Sequence, residues 1–392
     1  MFDPHKVNKE VSFKFYGEDL KFSLSHGLFS SFDIDAGSKF FLKALAQKID
    51  WSQITSVYDI GCGVGTLGLC LKKKFPRLQV FVQDRDALAV EFTLHNAKKN
   101  KIDVQASTGL ALIDSPEDKY DLILSNIPAK AGEPVIKDFI NNSNRLLNDK
   151  GYIAFVIVNT LADMVIQDIQ DSGYTICHKE ATKQHTVVIY QAPQESAPYQ
   201  SDISLYIRHK GRFQIQKTDY TLSTVYNIPA FDNLSFEMNL AGKLLRKQNW
   251  GGSCLFYNPG QGHLSQYLSE KKGSNIKEYI FASRDVLSLR IASYNLVDKP
   301  QKEYPVADWL NLSLIIPPNT IDNGIITLDP ITKTNWVEEF WEYGLPLFKQ
   351  ESHILIIGKS ADITSLLKNK KNVVTLDSLK DKGKRVVMLK KN

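Results

Sequence analysis

Residues 57–69 read VYDIGCGVGTLGL. Apolar and β-branched residues run to Ile60, and Gly61, Gly63 and Gly65 follow at alternate positions before a helical pattern opens at Thr66. A strand that turns through glycines into a helix is the ligand-binding end of a βαβ unit. Glycine adopts positive φ without strain and lets a ligand approach the backbone, and the helix start adds free N–H groups and a partial positive charge. Two acids strengthen the pattern. Asp59 lies in the strand just before the turn, and Asp84 closes the next strand, QVFVQD (79–84). A carboxylate at that place can accept both hydroxyl hydrogens of a ribose. Asp86 is read instead as the cap of the helix that begins at Ala87.

Outward from the turn, strands and helices alternate. SVYDI (56–60), QVFVQD (79–84), DLILSN (121–126), GYIAFVIV (151–158) and HTVVIYQ (185–191) read as strands. TLGLCLKKKF (66–75), ALAVEFTLHNAKKN (87–100) and EPVIKDFINNSNRLL (133–147) read as helices, the last with Pro134 near its start. The alternation predicts a mostly parallel sheet covered by helices on both faces. The strand DLILSN stops at Asn126, and Ile127, Pro128 and Ala129 follow, as a buried strand does when it ends at a cleft. Spacing alone leaves a nicotinamide cofactor open. The missing further glycine of the dinucleotide turn points away from it, and S-adenosylmethionine, which has a ribose and a cationic sulfonium but no pyrophosphate, fits better.

The pattern occurs twice. QDRDAL (83–88) and AVEFTLHN (89–96) match SRDVL (283–287) and SLRIASYN (288–295), each copy ending in an Asn, Asn96 and Asn295. SSFDIDAGSKFFLKAL (30–45) echoes PAFDNLSFEMNLAGKLL (229–245), DIGCGVGTLG (59–68) echoes FYNPGQGHLS (256–265), and YDLILSNIPAKAG (120–132) echoes NGIITLDPITKTN (323–335). Four matches in the same order imply a tandem duplication. QAPQESAPYQS (191–201), with two prolines and no hydrophobic period, is read as the linker, giving domains at 1–192 and 200–392. The second copy is degenerate: Phe256 aligns with Asp59, Asn258 with Gly61 and Ser283 with Asp84, so it is expected to bind cofactor poorly.

Composition bounds the function. A chain of 392 residues, 43% hydrophobic and 23% charged, suits two globular domains. The net charge of +5 permits a nucleic-acid partner without demanding one. Cys62, Cys70, Cys177 and Cys254 form no CxxC pair, so reduced thiols and no metal site are expected. No signal peptide or membrane-length apolar run is visible, which predicts a cytoplasmic protein without a membrane partner.

With these residues in place, the chain resembles the class I S-adenosylmethionine-dependent methyltransferases. More narrowly it resembles the small-domain family that includes the ribosomal RNA guanine-N2 methyltransferases. LFSSFDIDAGSKFFLKAL (28–45), VYDIGCGVGTLGL (57–69), VQDRDALAVE (82–91) and DLILSNIPA (121–129) carry the resemblance. It implies two tandem Rossmann-like α/β domains, the first catalytic. It also implies roles. Asp59, Gly61, Gly63 and Gly65 would form the cofactor loop, and Asp84 would hold the ribose. Phe29, Asp35, Gly37 and Ser38 lie in the segment that closes over the methionine end. Ser107 and Thr108 would approach the adenine. Asn126 and Pro128 form the catalytic strand end, where such enzymes usually carry Asn-Pro-Pro and an aromatic. The expected reaction is methyl transfer to an exocyclic nitrogen of an RNA base. Alternatives are a small-molecule or protein substrate, or RNA or partner binding without turnover. The absence of a stacking ring at Ala129 bears on the choice, because a base–aromatic stack is worth about 1–3 kcal/mol.

Overall fold

The computed structural model describes residues 2–29, 31–193, 201–368 and 370–392. They divide into two units, Phe2–Tyr206 and Ile207–Asn392. Most of the stretch read as the linker, 194–200, lies outside the described residues.

In the first unit the chain opens with a hairpin, β1 (Lys9–Phe15) and β2 (Glu18–Leu24), and helix α1 (Ala36–Lys48) follows. The expected alternation then runs through β3 (Ser56–Ile60), α2 (Thr66–Lys74), β4 (Gln79–Asp84), α3 (Ala87–Lys99), β5 (Gln105–Thr108), β6 (Tyr120–Asn126), α4 (Glu133–Asn142), β7 (Leu147–Val158) and α5 (Asn159–Asp171). It closes with β8 (Thr175–Ala181) and β9 (His185–Gln191). The sheet order is β5-β4-β3-β6-β7-β9-β8. All pairs are parallel except those of β9, which lies antiparallel between β7 and β8. The order reverses at β3, so the crevice opens beyond the C-terminal ends of β3, β4 and β6, where the glycine turn lies. Every residue of β3 is buried, as a central strand covered on both faces requires. Tyr58, Tyr120, Ile123, Phe139, Phe155 and Tyr190 fill one side of the sheet.

Two boundaries differ from the sequence reading. The helix expected over 133–147 ends at Asn142, gives way to a 3-10 turn over Ser143–Leu146, and β7 begins at Leu147. The run Asn141-Asn142-Ser143-Asn144 explains this. Its side chains compete for backbone groups, and Ser143 Oγ bonds the Phe139 carbonyl at 2.5 Å.

The second unit repeats the plan with hairpin β10 (Ile207–Ile215) and β11 (Thr218–Val225), α6 (Phe236–Leu245), β12 (Gly251–Tyr257), α7 (His263–Glu270), β13 (Asn275–Ser283), α8 (Val286–Tyr294) and β14 (Gln301–Pro305). It continues through α9 (Trp309–Ser313), β15 (Ile321–Thr327), α10 (Trp336–Glu339), β16 (Phe348–Lys359), α11 (Ser360–Lys368), β17 (Val373–Asp381) and β18 (Lys384–Lys391). Its sheet order, β14-β13-β12-β15-β16-β18-β17, is the same path. The polar scaffolding repeats as well. Asn96 accepts from Ser23 N–H at 2.8 Å and donates to the Ser23 and Val64 carbonyls. Asn295 accepts from Ser223 N–H at 2.8 Å and donates to the Ser223 and Gln261 carbonyls. Both copies thus tie the loop before the second helix to their hairpin through one buried or half-buried amide. Asp86 and Asp285 cap α3 and α8 in the same way. Among the described residues no helix is long and apolar enough to cross a membrane.

Candidate active site

The glycine turn has the backbone its sequence requires. Gly61, Gly63 and Gly65 have φ of 83°, 59° and 87°. Gly61 and Cys62 donate to the Gln83 carbonyl at 2.8 and 3.0 Å, Thr93 Oγ1 donates to the Gly63 carbonyl at 3.0 Å, and Asn96 holds Val64. Gly65 is fixed by packing, since a Cβ there would lie 2.9 Å from Leu69 and Thr93. Gly63 and Gly61 differ from it. A Cβ on Gly63 would meet nothing within 4 Å, and one on Gly61 only Ser125 Oγ at 3.9 Å. Their bare backbone faces open space and forms a cradle for a ligand.

Asp84 ends β4 at the rim of this cradle, half-buried. Its Oδ2 accepts from Gly63 N–H and its Oδ1 from Asp86 N–H, both at 2.9 Å. Thr108 lies beside it in register and is half-buried, whereas Ser107 pairs with Gln83 and is exposed. Asp59 stands elsewhere than the cradle surface. It is wholly buried beneath the turn, where Oδ2 accepts from Gly68 N–H at 3.0 Å and Oδ1 has no hydrogen-bond partner. Burial pushes its carboxyl up to about 7, against the Gly68 bond and with the Asp84 charge adding to the rise. It braces the turn from below rather than presenting a carboxylate to the cleft.

At the end of β6, Asn126 is half-buried and its Nδ2 donates to Asp35 Oδ2 at 2.9 Å and to Ser38 Oγ at 3.1 Å. Asp35 caps α1. It accepts from Gly37 N–H at 3.1 Å, and from both the Ser38 N–H and Ser38 Oγ at 2.8 Å. Because Asp35 and the committed Ser38 hydroxyl can only accept from Asn126, the amide nitrogen is turned to them. Its carbonyl oxygen is left for the cleft. The structure therefore brings Asp35, Gly37, Ser38 and Asn126 together. Pro128 is exposed, and its carbonyl caps the turn by accepting from Ala131 N–H at 3.0 Å. Ile127, in place of the family's first proline, is 6% exposed and packs into the core. Phe29 is 79% exposed.

One residue near this cluster escaped the sequence reading. A Cβ added to Gly37 would lie 3.1 Å from His185 Cδ2 and 3.4 Å from Asp35 Oδ2. The imidazole thus packs on the first turn of α1 at the start of β9. The only signal in the sequence was a histidine opening an apolar strand.

The second unit shows what happens to the same cradle without its chemistry. Strand registers place Phe256, Asn258 and Ser283 at the positions of Asp59, Gly61 and Asp84, as the alignment expected. Thr327, not the DPIT segment, ends the strand where Asn126 stands, since the next residue, Leu328, repeats the backbone bond of Ile127. Asn258 Nδ2 donates to the Thr327 carbonyl at 3.0 Å, and its Oδ1 accepts from Ser283 Oγ at 3.2 Å. A side chain bonded on both sides thus stands where Gly61 has none. Among the described residues no group of three or more His, Cys, Asp or Glu could hold a metal ion in either unit.

A sheet of this order, with a glycine turn at its reversal point and an acid closing the next strand, defines a doubly wound α/β fold of the kind that binds a nucleoside-containing cofactor. Residues 19–187 match the model of the family described as Methyltransferase small domain (MTS). Over 181 residues the chain is 29% identical to the "Ribosomal RNA small subunit methyltransferase C" of Actinobacillus pleuropneumoniae serotype 3 (strain JL03), covering 45% of this chain and 52% of that protein. It is 29% identical over 153 residues to the "Ribosomal protein L11 methyltransferase" of Thermotoga neapolitana, covering 39% and 54%. The chain thus spans about half the length of these curated relatives. Among solved structures, the T. thermophilus 16S rRNA N2 G1207 methyltransferase (RsmC), determined with AdoMet and guanosine, shares the two-unit fold. Its TM-score is 0.65 at 14% identity, covering 99% of both chains.

Proposed function

We propose that the first unit is an S-adenosylmethionine-dependent methyltransferase that modifies an exocyclic amino group of an RNA base, as the names of its rRNA-modifying relatives suggest. The observation that carries this reading is Asn126, whose amide nitrogen is spent on Asp35 and Ser38, which leaves its carbonyl oxygen to act as an acceptor. A carbonyl acceptor suits an NH₂ group. By engaging the amine hydrogens it turns the nitrogen lone pair toward the reaction partner, and orientation rather than a strong base supplies the rate. The cofactor fits the residues present. Gly61 and Gly63 leave the cradle open, and Asp84 at its rim would accept ribose hydroxyls. When bound, S-adenosylmethionine supplies a methyl group carried on a sulfonium.

The test is transfer of tritiated methyl to total RNA, DNA, protein and small-molecule extract. Label in RNA, recovered as an N-methylated base, is the expected result. In Asn126→Ala the rate should fall about a hundredfold while cofactor still binds. The second reading, a protein or small-molecule substrate, is favoured by Ala129, which is exposed and offers no ring for stacking, and by the likeness to a ribosomal protein methyltransferase. Label confined to protein or small molecules would select it.

A further inference from the structure

The segment between β2 and α1 carries the two most exposed aromatic rings among the described residues, Phe29 at 79% and Phe32 at 64%. Single exposed apolar side chains are ordinary. Phe32 is set apart by how its backbone is held. The Ser31 carbonyl accepts from Asn8 Nδ2 at 2.9 Å and the Phe32 carbonyl from Lys9 Nζ at 3.1 Å. Asp33 accepts from Ile34 N–H and Lys39 Nζ, both at 2.8 Å. Asp35, three residues after Phe32, is bound to Asn126. His26 meets the ring edge-on, with centroids 5.6 Å apart and planes at 72°. The main chain is therefore anchored on both sides of a ring that stays in solvent, a few residues from the acceptor of the candidate site.

The duplication supplies an internal control. Helices α1 and α6 begin at equivalent positions, with Asp35 and Ser235 as their N-caps. Counted back from these caps, Pro229 stands at the place of Phe29 and Asp232 at the place of Phe32. Asp232 pairs with Arg208 at 3.1 Å. In the copy without Asp59, Asp84 and Asn126 neither position is aromatic; its exposed ring, Phe231, stands one residue earlier at 41% exposure, with the Arg208 guanidinium 5.1 Å from its centroid.

We propose that Phe32 stacks on the planar base whose amino group Asn126 holds, and so supplies the aromatic face that Ala129 lacks. This rests on the nucleobase reading of the substrate. Stacking tolerates any base, so Phe32 would set affinity for a planar substrate while Asn126 selects its amino group. The first measurement is independent of turnover. In Phe32→Trp, with S-adenosylhomocysteine present, guanosine monophosphate should quench tryptophan emission beyond the quench seen in wild type. No added quench overturns the stack. The second uses unmodified ribosomal RNA made by transcription. Phe32→Ala should lose about tenfold to a hundredfold in kcat/KM, mostly in KM, whereas Phe32→Tyr and Phe32→Trp should stay within about threefold. Phe32→Leu keeps bulk without a π face and should behave as Ala; a Leu variant at wild-type rate also overturns the proposal. S-adenosylmethionine binding should be unchanged in all four variants. If wild type methylates no RNA, the RNA reading falls by itself, and the fluorescence arm still tests Phe32.

Discussion

Replacing Asp84 by Ala should weaken cofactor binding by about two orders of magnitude while leaving the chain folded. The carboxylate is half-buried and accepts from Gly63 N–H and Asp86 N–H at 2.9 Å each. It stands at the rim of the cradle, where a ribose would offer it two hydroxyls. Hydrogen bonds to a charged acceptor are worth about 1.5–3 kcal/mol each. Two of them at the lower end, appropriate to a partly solvated group, give about 3 kcal/mol, or roughly 150-fold in Kd. Losing the Gly63 anchor loosens the turn and adds to this. Asp84→Asn keeps the shape and one acceptor, so its loss should be smaller, about tenfold. Isothermal calorimetry with S-adenosylmethionine reads both, and a thermal melt checks folding. An Ala variant that binds within about threefold of wild type, with an unchanged melt, would refute the assignment of Asp84 to the ribose and with it the cradle as the cofactor site.

Three further outcomes follow from the same geometry. The folded chain holds the Asp59 proton up to about 7 where an unfolded carboxyl would lose it near 3.8, so its contribution to stability declines as pH rises from about 4 to 7. Asp59→Asn removes that titration. Its melting temperature should gain on wild type between pH 5 and 8, and parallel curves would contradict the burial argument. Calorimetry should count one S-adenosylmethionine per chain, because Asn258 fills the second cradle; two sites would show that the plug yields. Asn96→Ala strips a buried amide from three backbone partners and should cost about 2–4 kcal/mol in chemical denaturation, with weaker cofactor binding. Asn295→Ala should cost a similar amount of stability and leave cofactor affinity alone. Equal effects of the two on binding would speak against separate roles for the copies.

The parts of this molecule that the sequence made legible are those governed by local rules. A glycine turn between a strand and a helix needs positive φ, and the letters say so at Gly61, Gly63 and Gly65. Asp86 and Asp285 announce themselves as caps by standing one residue before a helical pattern. The duplication was readable because the same letters recur in the same order. Less readable were elements set by pairing. The hairpin β1–β2 carries charges on its exposed face, and β8 alternates half-buried and exposed residues along the sheet edge, so neither offers a strong apolar signal. The site was split along the same line. Asp35, Ser38 and Asn126 were each singled out, yet that they bond to one another depends on α1 packing at the end of β6. The descent of Asp59 below the turn and the approach of His185 to Gly37 are likewise tertiary facts that spacing does not encode.

The two cradles separate what the fold requires from what the reaction requires. Gly260 and Gly262 have φ of 59° and 87°, the values of Gly63 and Gly65, so the turn keeps its shape in a copy with no acid to serve it. Shape is thus a demand of the strand-to-helix connection, and glycine at these places is not by itself a mark of cofactor binding. The informative position is the first. Gly61 has φ of 83°, and its counterpart Asn258 has φ of 53°. Asparagine is among the few side chains that enter this region readily, because its short amide can bond nearby backbone. The exchange therefore costs the fold little, yet its amide spans from Ser283 to Thr327 and closes the space. Loss of the acids would have weakened binding by degrees, whereas a side chain at this one position removes the volume. On the proposed reading, cofactor binding in the first unit should depend as much on the missing side chain of Gly61 as on the carboxylate of Asp84.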